Sequence, residues 1–392
     1  MRDWTIFRFS LYIFLRNLRI FEPFLIIFFR HVGLSFFQIG LLYSVKETVI
    51  LVAGVPSGML ADISGKKRVL IFSTISYLLS FLLFFMGMDF EHFAVAMGLY
   101  GLGEALMAGS YNALVIDYID SRGLSDRRVE YLGAVRGWGQ MGLAMNGLLS
   151  GLFLFLVPDY RWLFAVTFVP HFLNLFNVGT LPDVKGASER RRTRLDLSFM
   201  NSWKYARIIL NSSLYMAMFR TVKDYVQPIL KSFAVSLPVF LFLEGEKRTA
   251  VVVGMAYFLI FAMNSYAARN AHRLRKFGDE SAVINLTYIT GALSVVFAGL
   301  LHHAGEHLLS FFVFLGMFLM LNLRRPFMLS YISTLIPSRM LATGMSVESN
   351  LKIVVSMILS PVLGYMADAM GVGWALAVMG LFFLLLYPIL RV

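Results

Sequence analysis

The chain has 392 residues, 58% of them hydrophobic and only 15% charged, with a mean hydropathy of +0.71. Soluble globular chains carry about a quarter charged residues, so that class is excluded. Most of the net charge of +12 lies in the loops and the central linker, which leaves no soluble domain for nucleic acid, and the absence of cysteine excludes disulfides, thiol catalysis and thiolate metal sites.

Apolar runs of about 20 residues, long enough to cross a bilayer, recur along the chain. They predict twelve spans: 5–30, 36–61, 68–88, 91–118, 130–157, 162–181, 209–235, 248–268, 281–301, 308–335, 340–366 and 373–391. The start "MRDWTIFRFS" has no cleavage pattern, so the first span is expected to be retained.

Span one carries Arg16, Arg19 and Glu22 inside an apolar run. At the helical period these three and Tyr12 fall within an arc of about 120°. Span two holds the adjacent pair Lys46 and Glu47, span four Glu104, and span five Arg136. Between spans six and seven lies a polar stretch from Pro182, with the block Arg190, Arg191, Arg192 and Arg194 and an amphipathic end. It divides the chain into an N-terminal bundle (1–181), a basic linker (182–208) and a C-terminal bundle (209–392), each bundle of six helices.

Span seven repeats the pattern of span one. Arg220, Lys223, Asp224 and Gln227 cover about 100° of arc, and "RIFEPFL" aligns with "DYVQPIL" so that Glu22-Pro23 superposes on Gln227-Pro228. Matching first helices of this kind point to internal duplication. Span ten brings Asn322, Arg324 and Arg325, and span eleven Glu348 and Lys352.

A charge at the bilayer centre costs about 2.5–3.5 kcal/mol unless it faces protein or water. Spans three, six, nine and twelve carry no interior charge. They are expected to face lipid, while spans one, four, seven and ten surround a wet solute path. Nine mid-span cations stand against five acidic residues, so complete pairing leaves four cations over. An unpaired buried cation is costly, and an anionic solute would relieve it through the planar arginine fork. The candidate solute contacts are Tyr12, Arg16, Arg19, Arg220, Lys223, Tyr225, Gln227, Asn322, Arg324 and Arg325. The candidates for proton coupling are Glu22, Glu104 and Asp224, with Glu22 foremost because it precedes a proline beside Arg19. Lys46 with Glu47, Arg136 with Asp117 or Glu104, and Glu348 with Lys352 read as packing pairs.

About twenty Lys and Arg occupy the loops on the side of the N-terminus, against four on the other side. By the positive-inside rule both termini and the linker are cytoplasmic, and the localisation is the cytoplasmic (inner or plasma) membrane. The glycine pairs Gly133/Gly137 and Gly147/Gly151 predict a close packing seam toward the other half. "HHAGEH" at 302–307 reads as a solvated outer loop, with a metal on His303 and His307, which would share a helical face, as the alternative, and His171 with Asn174 reads as a satisfied helix contact.

The loop "GMLADISGKKR" (58–68) resembles the signature of the major facilitator superfamily, with Gly58, Leu60, Asp62, Gly65, Lys66 and Lys67 matching. The resemblance implies an all-α membrane protein of twelve transmembrane helices in two pseudo-symmetric bundles. It further implies a secondary active transporter working by alternating access, and a role for Asp62 in latching the cytoplasmic side near the start of span eleven. The matching loop of the second half, "AARNAHRLRKFGDE", lacks the aspartate, and span five lacks the G-P-x-x-G-G signature of drug antiporters. The sequence therefore predicts a monomeric, proton-coupled transporter of a small anionic organic solute in a lipid bilayer. It has no cofactor, no enzymatic constellation and no nucleic-acid partner. Export of a cationic drug, or a non-transporting sensor on the same fold, are the alternatives.

Overall fold

A computed structural model describes residues 4–183, 202–236, 243–336 and 341–392. The arginine block at 190–194 and Arg339 lie outside the described residues. Thirteen helices are present among those described: α1 (Trp4–Arg16), α2 (Leu25–His31), α3 (Phe36–Ser64), α4 (Lys66–Met86), α5 (Phe90–Ser121), α6 (Arg128–Leu156), α7 (Trp162–Gly179), α8 (Trp203–Val222), α9 (Val226–Ser236), α10 (Gly245–Asn270), α11 (Glu280–His303), α12 (His307–Leu335) and α13 (Leu341–Leu390). They make the twelve expected spans. α1 with α2 forms span one, α8 with α9 forms span seven, and α13 supplies the last two. Gly371, at φ 84°, marks the turn between the arms of α13, a backbone angle that favours glycine.

Spans one and seven are both broken beside their aligned prolines, with the 3-10 turn around Pro23 in span one and just before Pro228 in span seven. Pro23 lacks an N–H and its ring collides with the carbonyl four residues back, that of Arg19. That carbonyl instead accepts from the Glu22 N–H at 2.9 Å, and residues 22–24 form a 3-10 turn. Pro228 acts likewise on Asp224, next to the 3-10 turn of residues 223–225. The continuous helical arc drawn through Tyr12, Arg16, Arg19 and Glu22 is therefore corrected: α1 ends at Arg16, and the turn places the other two charges.

The chain forms two compact units that depart from the sequence halves at two segments. The first takes Met1–Phe28, Val45–Arg191 and Leu243–Phe261; the second takes Phe29–Ser44, Arg192–Phe242 and Ala262–Val392.

In the first unit an aromatic core forms around Phe164, whose ring lies 5.0 Å from Phe21, 4.9 Å from Phe28 and 5.0 Å from Phe84. Lipid is as apolar as leucine, so packing and polar contacts rather than hydrophobicity join helices here; each aromatic pair adds about 0.5–1.5 kcal/mol. A serine ladder ties α4 to α5: Ser73, Ser76 and Ser80 donate to the carbonyls of Gly103, Leu99 and Ala96 at 2.7, 2.7 and 2.8 Å. Glycine joins α6 to α10. A Cβ on Gly147 would lie 2.9 Å from the Phe258 nitrogen, and one on Gly151 would lie 2.8 Å from the Ala250 carbonyl and 2.9 Å from the Gly254 Cα. Gly133 and Gly137 face open space, so the seam comprises the second pair alone.

In the second unit the start of α3 lies along α13. A Cβ on Gly364 would be 2.6 Å from the Phe36 carbonyl carbon, and Ser44 Oγ donates to the Met357 carbonyl at 2.5 Å. The Asp368 carboxylate accepts the N–H groups of Phe36 and Phe37 at 2.9 and 2.8 Å, capping α3.

Three of the four charge-free spans show the expected exposed apolar stripe; of its large apolar side chains span nine (α11) exposes only Leu286, Phe297 and Leu300, while span ten (α12), expected to line the path, exposes Leu308, Leu309, Phe312 and Leu329. α4 shows the stripe Phe72, Ile75, Leu79, Leu82 and Met86; α7 shows Val169, Phe172, Leu173 and Phe176; the second arm of α13 shows Val378, Leu381, Phe382, Leu385 and Ile389. Each follows the three-four spacing of one helix face. Along span one the only large apolar side chain so exposed is Trp4, and along the described part of span seven only Trp203 and Val235.

Candidate functional site

The break in span one gathers a polar cluster within the first unit. Pro23 frees the turn that holds Arg19 and Glu22, and α1 delivers Arg16 one turn earlier. Arg16 donates to Glu104 Oε1 on α5 at 2.6 Å, Arg19 donates to the same oxygen, and Tyr77 Oη on α4 donates to it at 2.8 Å. Arg19 also donates to Glu22 Oε1 at 2.9 Å, and Tyr100 Oη reaches that oxygen at 2.8 Å. The Arg19 guanidinium lies over the Tyr77 and Tyr100 rings, 5.5 and 5.1 Å from their centroids. Asn17 accepts from Arg16 at 3.1 Å and donates to the Gly139 carbonyl at 2.9 Å, tying the cluster to α6.

Two features of this cluster bear on chemistry. It holds two guanidinium groups and two carboxylates, so its formal charge is zero. Three donors converge on one oxygen of Glu104, while its Oε2 has no protein donor among the described residues. The carboxylates are also its more open members: the Glu22 and Glu104 side chains are 36% and 24% exposed, against 9% for Arg19 and 13% for Arg16. His171 lies alongside, its ring 5.7 Å from Tyr77 and its Nδ1 3.0 Å from the Thr167 carbonyl, and Asn174 donates to the Tyr12 carbonyl at 3.1 Å. The satisfied contact that their spacing suggested is only half made: Asn174 bonds to α1, and among the described residues the buried His171 Nε2 has no partner. Tyr77 and Tyr100 escaped the sequence reading because a tyrosine in an apolar run carries no charge to draw notice; their spacing to Glu104 exists only after α4 and α5 pack.

Other predicted residues lie elsewhere. Tyr12 is buried in the core of the first unit and stacked on Tyr111 at 4.8 Å, so it is a packing residue and not a wall of the cluster. Arg324 is 2% exposed. It donates to Asn211 Oδ1 on α8 and to the Ile284 carbonyl on α11, and lies 4.7 Å over the Tyr215 ring. Among the described residues no carboxylate stands within ion-pair distance of it. The expectation that it contacts solute is corrected: adjacent residues on a helix diverge by about 100°, so Arg324 enters the core while Arg325 is exposed. Asn322 bonds back to the Phe318 carbonyl of its own helix at 2.9 Å. Lys223 pairs with its neighbour Asp224 at 2.6 Å, Arg220 is half-buried, and Gln227 is fully buried. Tyr225 is buried and stacked on Phe36 at 5.8 Å.

Among the packing pairs, Lys46 and Glu47 stand 3.4 Å apart as expected. The pairing of Arg136 is revised. Asp117 joins Lys66 and Glu104 joins the two arginines, while Arg136 is exposed. Glu348 accepts from Ser212 Oγ at 2.5 Å, and Lys352 is half-buried one turn along the same helix. In the loop motif Gly65 has φ 92° and begins α4, Leu60 and Asp62 are exposed, and Lys66 and Lys67 open the helix. A Cβ on Gly58 would meet nothing within 4 Å, so the glycine needed for a turn is Gly65.

The fold is shared with solved transporters. A crystal structure of the nucleoside transporter NupG superposes with a TM-score of 0.79 at 13% identity, covering 98% of both chains. A bacterial homologue of the human lysosomal transporter Spinster, in an inward-facing and occupied conformation, gives 0.75 at 13% identity, covering 99% of this chain and 96% of that one. A D-xylose–proton symporter gives 0.69 at 12%, covering 97% and 95%. At such identities the likeness shows the fold alone. A curated protein of Cupriavidus pinatubonensis, described as a probable 4-methylmuconolactone transporter, is 28% identical over 188 residues, 46% of this chain and 43% of its own length. The matched region thus spans less than half of that relative. The family model of the Major Facilitator Superfamily matches residues 9–352, and the chain accordingly belongs to that family of multi-pass membrane transporters of small solutes, not to an enzyme family.

Proposed function

We propose that the protein carries a small organic anion together with a proton across the cytoplasmic membrane, by alternating access, as a monomer with cytoplasmic termini. The observation that carries the reading is the neutral cluster of Arg16, Arg19, Glu22 and Glu104. A buried site of zero charge has no net attraction for an anion, although it holds the guanidinium forks that suit one. Protonation of Glu22, the most exposed member, leaves a charge of +1 and frees a donor of Arg19. A monoanion then restores neutrality, so one proton accompanies each negative charge. Glu104 holds both arginines in place throughout.

The Cupriavidus relative, whose described solute is a small organic molecule, supports the size class. Arg220, Lys223, Asn322 and Arg325 remain solute candidates in the second half of the chain, and Asp224 a second coupling candidate. Asp62 remains the proposed latch, beside the Gly65 turn and the Lys66–Asp117 pair. The test is ligand stabilisation of the purified protein by a panel of organic anions and cations at two pH values. Stabilisation by anions that strengthens at the lower pH supports the proposal.

A second reading is favoured by the exposure order of the cluster: the carboxylates, not the arginines, are its open face. On that reading the solute is a cation received by Glu22 and Glu104. The same screen separates the two, because cations would then stabilise best at the higher pH.

A further inference from the structure

The connection between α11 and α12 has a defined geometry that solute transport does not use. α11 ends in a Schellman turn: the Glu306 N–H reaches the Leu301 carbonyl at 2.9 Å, the Gly305 N–H reaches the His302 carbonyl at 3.2 Å, and Gly305 sits at φ 85°. α12 starts at once, with the Ser310 N–H bonded to the Glu306 carbonyl at 2.9 Å. Ser310 Oγ reaches back to the Ala298 carbonyl at 2.7 Å, so the two helix ends are pinned together.

This turn brings two imidazoles together, their rings tilted by 50°. His302 Nδ1 lies 3.0 Å from His307 Nδ1, with ring centroids 4.8 Å apart. Both rings are half-buried, and Ala304, Gly305 and Glu306 beside them are exposed. His303 points elsewhere, its ring 5.1 Å from that of Trp374.

We propose that His302 and His307 form a two-imidazole site for a divalent late first-row transition metal ion. Two nitrogens 3.0 Å apart, each about 2.0–2.1 Å from one ion, subtend about 94° at it. That is the angle between neighbouring ligands in a tetragonal Cu(II) or Ni(II) site. A tetrahedral zinc would need the nitrogens about 3.4 Å apart. Each imidazole binds through the Nδ1 lone pair with its proton on Nε2; the ring whose Nδ1–H otherwise joins the two atoms gives that proton to solvent and takes one from solvent on Nε2, so both rings stay neutral. No group of three or more His, Cys, Asp or Glu fit for a metal occurs among the described residues, so water fills the other positions. The site therefore takes an exchangeable ion, in the order Cu(II), then Ni(II), then Zn(II).

The test uses the full chain, purified in detergent without a polyhistidine tag and given up to one equivalent of Cu(II). Electron paramagnetic resonance is expected to show one tetragonal copper with two nitrogen ligands. His302→Ala and His307→Ala each weaken binding by roughly tenfold or more, and His303→Ala leaves it unchanged. A double variant, His302→Ala with His307→Ala, that elutes as the wild type and binds copper as tightly overturns the proposal. If the double variant does not elute normally, the wild-type spectrum decides: fewer than two nitrogens, or no binding at one equivalent, overturns it. Tighter binding of Zn(II) than of Cu(II) overturns it too.

Discussion

Replacing Glu22 by glutamine tests the transport proposal at its centre. The amide keeps an oxygen for Arg19 and Tyr100 but removes one negative charge, so the cluster of Arg16, Arg19, Glu22 and Glu104 goes from zero to +1. In the wild type a monoanion then binds only with a proton. Above the pKa of the accepting group, its apparent Kd rises about tenfold per pH unit, or about 1.4 kcal/mol. Between pH 6 and pH 8 affinity falls about a hundredfold. In Glu22→Gln the same plot is flat, and the variant binds at pH 8 as tightly as the wild type does in acid. Affinities come from thermal-shift titration of one stabilising anion at three pH values. Proteoliposomes give the companion result: the variant exchanges labelled solute across the membrane but does not accumulate it under a proton gradient. A wild-type slope of zero, or a slope in the variant equal to that of the wild type, refutes the reasoning.

Arg324→Met is expected to act on stability, because it leaves the Asn211 side-chain oxygen without a donor, while the Ile284 carbonyl keeps the Thr287 hydroxyl at 3.1 Å. The orphaned oxygen costs about 1–3 kcal/mol, so the melting temperature falls, while the solute affinity of the protein that remains folded is unchanged. Gly151→Ala forces a methyl group against the Ala250 carbonyl at 2.8 Å and is expected to cost about 1–3 kcal/mol. Gly133→Ala, in open space on the same helix, is expected to gain about 0.5–1 kcal/mol; equal melting temperatures for the two would contradict the packing. Asp368→Asn leaves one acceptor where two N–H groups need one, so faster amide exchange is expected at Phe36 and Phe37. Asp89 caps α5 through the His92 N–H at 3.0 Å, and that bond with the nearby imidazole holds its carboxyl below the usual carboxylate range. The folded pKa is depressed, so the cap is intact above the ordinary carboxylate value. It is lost as pH falls through the lower, folded value, and amide exchange at residues 90–93 should rise there.

The spans were legible because apolar runs and bilayer thickness leave few alternatives, and the absence of charge foretold exposed stripes such as Phe72 to Met86 on spans three, six and twelve, though not on span nine. The breaks at Pro23 and Pro228 were legible in principle, since proline in a helix removes a bond. The break moves Arg19 and Glu22 off a single helical arc, whereas Tyr12 shares the unbroken α1 with Arg16 and leaves the cluster because Tyr111 of α5 stacks on it. Which of two adjacent arginines enters the core was not legible: Arg324 and Arg325 differ only in what α8 and α11 bring beside them. Nor was the exchange of partners that gives Asp117 to Lys66, 51 residues away. Helical spacing cannot rank contacts between separate helices.

The glycine contact between α6 and α10 carries a mechanical consequence. Side chains on most helix pairs interdigitate like gear teeth, and sliding must climb over them. Where Gly151 meets Gly254 the two backbones touch with no teeth between them. Such a surface behaves as a plain bearing: it resists separation but offers little friction to a small glide or roll, and one added methyl would jam it.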